Sequence, residues 1–215
     1  MAAYATVLLG VLNRPCIADT SLLNNFVHSS AYMLERILRR PIRLSPTVLD
    51  ARETRLPEFP RVQPSFYMSR STEHAAYGEI APFIQSFALG VGDRWEPVEP
   101  DSNELALASR LSSREIREEV RTVCPGISRK KVELDSGEAE AAAIAATRGW
   151  TFLTDDQASV EFLRCLYPNI PIQRTCTLLL YAVEREVLSC EEAADRFNRR
   201  IVEELGFWAF RRLAK

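Results

Sequence analysis

The strongest constraint on this chain is the alternation of short apolar runs with helical stretches in its last third. Asp135-Ser136-Gly137-Glu138 opens an Ala-rich helix that ends at Gly149, and Trp150-Thr151-Phe152-Leu153-Thr154 then reads as a strand. A helix over 157–166, a strand over 170–173 and a helix over 176–187 follow. A last helix starts near Ser189, where Ser189 and Glu192 have the spacing of a capping box. The chain begins in the same way. Cys16-Ile17-Ala18 reads as a strand running into a helix capped by Thr20 or Ser21, with Leu22, Leu23, Phe26, Val27, Met33, Leu34, Ile37 and Leu38 at helical spacing. Ile42-Arg43-Leu44 is a second strand, and Pro46 opens a helix through Val48, Leu49 and Asp50. Parallel strands need crossover connections, which are usually helices, so this order predicts an α/β fold: a Rossmann-like three-layer α/β/α sandwich with a mostly parallel sheet.

Composition narrows the class. The chain has 215 residues, 47% hydrophobic and 26% charged, which suits a globular domain with one sizeable core and excludes disordered, collagen-like and coiled-coil chains. A formal net charge of -2 argues against a polybasic nucleic-acid binder while leaving room for local basic patches. The five cysteines form no C-x-x-C pair and lie far from both histidines, so no zinc site is expected. Reduced thiols in a cytoplasmic protein are the expectation. The N-terminal run TVLLGVL is too short to span a membrane and lacks a basic flank, so neither a signal peptide nor membrane association is expected.

We read residues 1–215 as a single domain elaborated by an insert over 54–121. Six of the twelve prolines and seven aromatics fall between Thr54 and Pro100, which predicts an ordered insert rather than a linker. Residues 101–121 read as a charged helical segment, and Cys124-Pro125-Gly126 as a turn.

Carboxylates mark the strand ends. Asp19 follows the first strand, Asp155-Asp156 follow the strand ending at Thr154, Glu138 and Glu140 lie in the first turns of the Ala-rich helix, and Asp50 or Glu53 follows the second strand. In open α/β sheets ligands bind beyond the carboxyl ends of the strands. Acids converging there, with no His or Cys, suit Mg²⁺ or Mn²⁺. Each acid also has a purely structural reading. Asp19 and Asp156 can cap helices, and Asp135 with Glu138 can form a capping box. Glu138 and Glu140 stand about 200° apart on a helix, so only one of them faces a given site.

The segment Asp19-Thr20-Ser21-Leu22-Leu23-Asn24-Asn25 resembles the opening motif of PIN-domain nucleases. LDSGEAEAAAIAATRGWTFLTDD (134–156) is similar to the later acidic motifs of a prokaryotic branch related to the toxin ribonucleases of toxin–antitoxin pairs, and IPIQRTCTLLLYAVEREVLS (170–189) to its next strand and helix. The resemblance implies a metal-dependent endoribonuclease that hydrolyses RNA, with an antitoxin protein as a partner where the toxin role holds. Asp19, Glu138 or Glu140, and Asp155 or Asp156 would hold Mg²⁺ or Mn²⁺, with Asp50 as the second acid. Thr20, Ser21, Asn25 and Thr154 would contact substrate or water. The family position for the second acid falls on Ala51, flanked by Asp50 and Glu53. That departure motivates the alternative of a catalytically decayed scaffold acting as a nucleic-acid or protein binding module. No Gly-rich nucleotide-binding pattern is present.

Two basic groups, Arg36-Arg39-Arg40-Arg43 and Arg129-Lys130-Lys131, are candidate phosphate contacts or plain solvated faces. Phe66 and Tyr67, flanked by Arg61 and Arg70, are candidates for base stacking or for the insert's own core. The apolar C-terminal positions Ile201, Val202, Leu205, Phe207, Trp208, Phe210 and Leu213 are expected to pack on the core, with a homodimer or partner interface as the alternative.

Overall fold

Three-residue strands buried along their whole length belong inside a parallel sheet covered on both faces. The computed structural model describes residues 13–19, 21–22, 25–26, 32–38, 41–49, 95–124, 127 and 134–198. Five strands form one sheet: β1 (Cys16–Ala18), β2 (Ile42–Leu44), β3 (Trp95–Pro97), β4 (Thr151–Leu153) and β5 (Ile172–Gln173). All pairings are parallel and the order is β3-β2-β1-β4-β5. The helices with defined bounds are α1 (Tyr32–Leu38), α2 (Pro46–Leu49), α3 (Ser102–Leu111), α4 (Glu115–Val123), α5 (Ser136–Arg148), α6 (Gln157–Leu166), α7 (Thr175–Glu184) and α8 (Cys190–Asp195).

Side-chain alternation along the strands divides the core into two clusters, and this makes the architecture a three-layer α/β sandwich. Cys16, Ala18 and Leu153 face one side with Leu34, Ile37, Leu178 and Phe197. Ile17 and Phe152 face the other, with Leu111, Ile116, Phe162 and the alanines of α5. Local chemistry sets the limits of α5. Asp135 and Glu138 form the capping box expected of them, and Gly149 ends the helix at φ 67°, in the left-handed region where a Cβ is costly. Ser189 and Glu192 likewise form their capping box at α8.

The stretch read as an insert divides in two. Residues 54–94, including Phe66 and Tyr67, lie outside the described residues. Residues 95–121 belong to the sandwich itself, supplying edge strand β3 and the helices α3 and α4, with α3 packed along α5 and α4 against α6. The single helical segment expected over 101–121 is broken at Ser112–Arg114, where the Ser112 N–H bonds to the carbonyl of Ala108 and α3 ends. Glu104 is fully buried in α3 and is neutralised by Arg148, whose Nε and Nη2 each lie 2.7 Å from its carboxylate oxygens.

One expectation about the cysteines is corrected. Cys124 and Cys165 form a disulfide, with Cα atoms 6.3 Å apart, because the packing of α4 on α6 brings together two positions 41 residues apart in the chain. Cys16, Cys176 and Cys190 are not in disulfides. No helix among the described residues is long and apolar enough to cross a membrane. The C-terminal apolar positions 201–213, Arg39, Arg40 and the 129–131 basic group lie outside the described residues. Arg43 pairs with Glu96 at 2.9 Å.

Candidate active site

The strand order reverses direction between β1 and β4, and at such a switch point the crevice beyond the strand ends is the natural ligand site. Asp19 and Thr154 stand there, one residue past β1 and β4. The Asp19 N–H donates to the Leu153 carbonyl at 3.0 Å, which extends the ladder and fixes the Asp19 backbone. Its side chain is 1% exposed. The carboxylate accepts from Ser21 Oγ at 2.8 and 3.0 Å, from the Leu22 N–H at 3.1 Å and from Thr154 Oγ1 at 2.5 Å. Burial nonetheless dominates, with a smaller push from the Asp155 charge, and lifts the Asp19 carboxyl from 3.8 to about 7 against those hydrogen bonds.

Glu138 reaches the same field from the first turn of α5. Its carboxyl is raised from 4.5 to about 8, first by burial and then by the charges of Asp19 and Asp156. One of its oxygens accepts from the Asp135 N–H at 3.2 Å, completing the capping box. Asp156 is the N-cap of α6, with Oδ1 accepting from the Ser159 N–H at 2.6 Å, and its own N–H donates to Thr154 Oγ1 at 3.1 Å. Asp19, Glu138 and Asp156 therefore come from three elements and converge electrostatically at one end of the sheet. Glu138 and Asp156 each spend an oxygen on a helix cap. Among the described residues, no three His, Cys, Asp or Glu side chains are grouped closely enough to hold a metal ion.

Asp155 serves a different purpose from its neighbour. It is buried and turned toward α7, where it accepts from Asn25 Nδ2 at 2.7 Å, from the Thr175 N–H at 3.1 Å and from the Thr175 hydroxyl. Arg174 adds an ion pair at 3.5 Å and donates to the Asp155 carbonyl at 3.0 Å. Burial raises the Asp155 carboxyl while these partners oppose the rise. Asn25 thus supports the site from behind, as does Ser21, whose Oγ also accepts from the Asp155 N–H at 3.0 Å. Arg174 and Thr175 were not singled out from sequence. Their only local signal is a position just after a strand, at the start of a helix.

Glu140 is placed apart from Glu138, as their angular separation requires. It is buried, and Oε2 accepts from the Thr47 N–H at 2.9 Å, at the start of α2. Asp50, Glu53, Ala51 and Thr20 lie outside the described residues. The Ser45 hydroxyl, buried at the end of β2, has no hydrogen-bond partner among the described residues.

The donors at this end of the sheet are all oxygens, and two of them, Asp19 and Glu138, are on carboxyls raised to near neutral pH by burial and by neighbouring carboxylates. Oxygen donors are the kind a hard divalent cation takes, but among the described residues they are not grouped closely enough to hold one. No family model, curated protein or solved structure matches the chain.

Proposed function

We propose that the chain is a metal-dependent endoribonuclease of the PIN type, using Mg²⁺ or Mn²⁺ to hydrolyse RNA phosphodiester bonds. The observation that carries this reading is the placement of Asp19 and Asp156 just past β1 and β4, with Glu138 in the first turn of α5; the charges of Asp19 and Asp156 add to the burial that raises the Glu138 carboxyl to about 8. Three acids from separate elements share one field at the switch point of a β3-β2-β1-β4-β5 sheet. The resemblance of 14–53 and 125–205 to that branch supplies the reaction class and the preference for RNA. It also supplies the toxin role, with an antitoxin as regulatory partner.

In this reading Asp19, Glu138 and Asp156 hold the cation. Ser21, Leu22 and Thr154 orient the Asp19 carboxylate, and Thr154 links it to the backbone of Asp156. Asn25, Asp155, Thr175 and Arg174 keep the loop after β4 rigid, which limits the reorganisation needed on binding. A bound divalent ion supplies Lewis acidity for activating water and neutralises charge developing on the phosphate.

The second reading is a binding scaffold with a decayed site. It is favoured by the absence, among the described residues, of a closely spaced group of three ligating side chains, and by Ala51 at the family's acid position. Cleavage of labelled single-stranded and structured RNA with Mn²⁺, Mg²⁺ or EDTA, comparing wild type with Asp19→Asn, separates the two. Metal-dependent cutting lost in Asp19→Asn supports the nuclease. RNA binding without cutting under either ion supports the scaffold.

A further inference from the structure

Glu140 is a buried carboxylate that takes no part in the hydrogen bonds of Asp19, yet it makes a bond that spans 93 residues of chain. Its Oε2 accepts from the Thr47 N–H, an amide in the first turn of α2 that has no partner within that helix. The usual source of such a cap is the residue just before the helix. Here that residue is Ser45, and its hydroxyl is buried without a partner among the described residues. The task has passed to Glu140 on α5.

A second contact reinforces the bond. α2 packs on α5 at Gly137, where a Cβ would lie 3.3 Å from Val48 Cγ2. The absence of a side chain at Gly137 permits this approach. Val48 belongs to the core cluster on the face of the sheet opposite that of α5, so α2 bridges the two layers where β2 ends. β2 is the direct neighbour of β1, which leads into Asp19. The first turn of α5, which carries Glu138, is thereby clamped to the end of the sheet that carries Asp19.

We infer that Glu140 is a positioning residue: by capping α2 it fixes α5 against the carboxyl end of the sheet and sets the reach of Glu138 toward Asp19. This rests on the nuclease reading for what the site does, but not for the clamp itself. It departs from Glu140 as a metal ligand, and the two roles differ in one chemical respect. A glutamine amide oxygen accepts a backbone N–H but replaces a metal-bound carboxylate poorly.

The test measures the Mn²⁺ concentration giving half the maximal thermal stabilisation, and in parallel half-maximal RNA cleavage, for wild type, Glu140→Gln, Glu140→Ala and Asp19→Asn. Glu140→Gln is expected within about twofold of wild type, and Glu140→Ala about tenfold higher, the scale on which supporting partners of metal ligands act. Circular dichroism shows whether each variant is folded. If Glu140→Ala does not fold, Glu140→Met, which fills similar volume without accepting the Thr47 amide, takes its place with the same expected shift. A Glu140→Gln variant as impaired as Asp19→Asn overturns the inference in favour of direct ligation. A folded Glu140→Ala or Glu140→Met with the wild-type midpoint overturns it as well. Wild type that is stabilised by Mn²⁺ but cuts no RNA defeats the nuclease reading while the midpoints still decide the role of Glu140. Wild type that Mn²⁺ does not stabilise overturns the nuclease reading and the positioning role that depends on it, leaving only the clamp of α2 on α5.

Discussion

Asp19→Asn should stabilise the metal-free protein at pH 8 while abolishing cleavage. The Asp19 carboxyl titrates at about 7 in the folded protein against 3.8 ordinarily, so the folded state holds a proton that the unfolded chain has released. Stability from this group is greatest below pH 4, declines as pH rises toward 7 and is fully lost above it. At ~1.4 kcal/mol per pH unit, the loss between pH 4 and pH 8 is about 4 kcal/mol. For a chain of this size 1 kcal/mol moves Tm by roughly 2–4 °C, so the loss corresponds to about 10 °C. Asparagine carries no charge, and its amide oxygen can keep the bond from the Leu22 N–H. The variant's Tm should therefore fall less steeply, with the residual slope coming from Glu138, which titrates at about 8, and from Asp155. Saturating Mn²⁺ should raise the wild type at pH 8 by mass action and leave the variant nearly unmoved. Scanning calorimetry from pH 4 to pH 8, with EDTA or Mn²⁺, measures all of this. Parallel slopes for the two proteins would refute the argument that burial of a charged Asp19 is the cost that a cation relieves.

Three further outcomes follow from the packing. Reduction by dithiothreitol should lower stability by about 4 kcal/mol, the chain-entropy value for a crosslink spanning 41 residues; urea melts that coincide with and without reductant would show that Cys124 and Cys165 are thiols in solution. Arg148→Ala should cost ~3–5 kcal/mol in urea melts by stranding the buried Glu104 carboxylate, and pairing it with Glu104→Gln should recover a large part. Asp155→Ala should cost about 3 kcal/mol by removing the acceptor of the Thr175 amide and hydroxyl and of Asn25 Nδ2, yet shift the Mn²⁺ midpoint less than Asp19→Asn does. The reverse ranking would make Asp155 a ligand rather than a brace.

What could be read from the sequence, and what could not, follows from the range of the interactions concerned. Both ends of α5 and the start of α8 were legible because capping is local. Asp135 with Glu138, Ser189 with Glu192, and Gly149 each act within a few residues of the end they define. Strand β3 was not, because Trp95-Glu96-Pro97 has little strand character of its own and is held by pairing with β2, more than fifty positions earlier. The disulfide was hidden for the same reason. At the site, the Asp155-Asp156 doublet shows where local reasoning stops. That one acid of the pair belongs at the strand end followed from position alone. Their division of labour did not, since it depends on Asn25 and Thr175 arriving from 130 and 20 residues away to claim Asp155. Once Asp155 is committed to those donors, Asp156 is left as the acid whose charge reaches Glu138. The same argument separates Glu140 from Glu138: their angular offset requires two destinations, and only the approach of α2 decides which acid goes where.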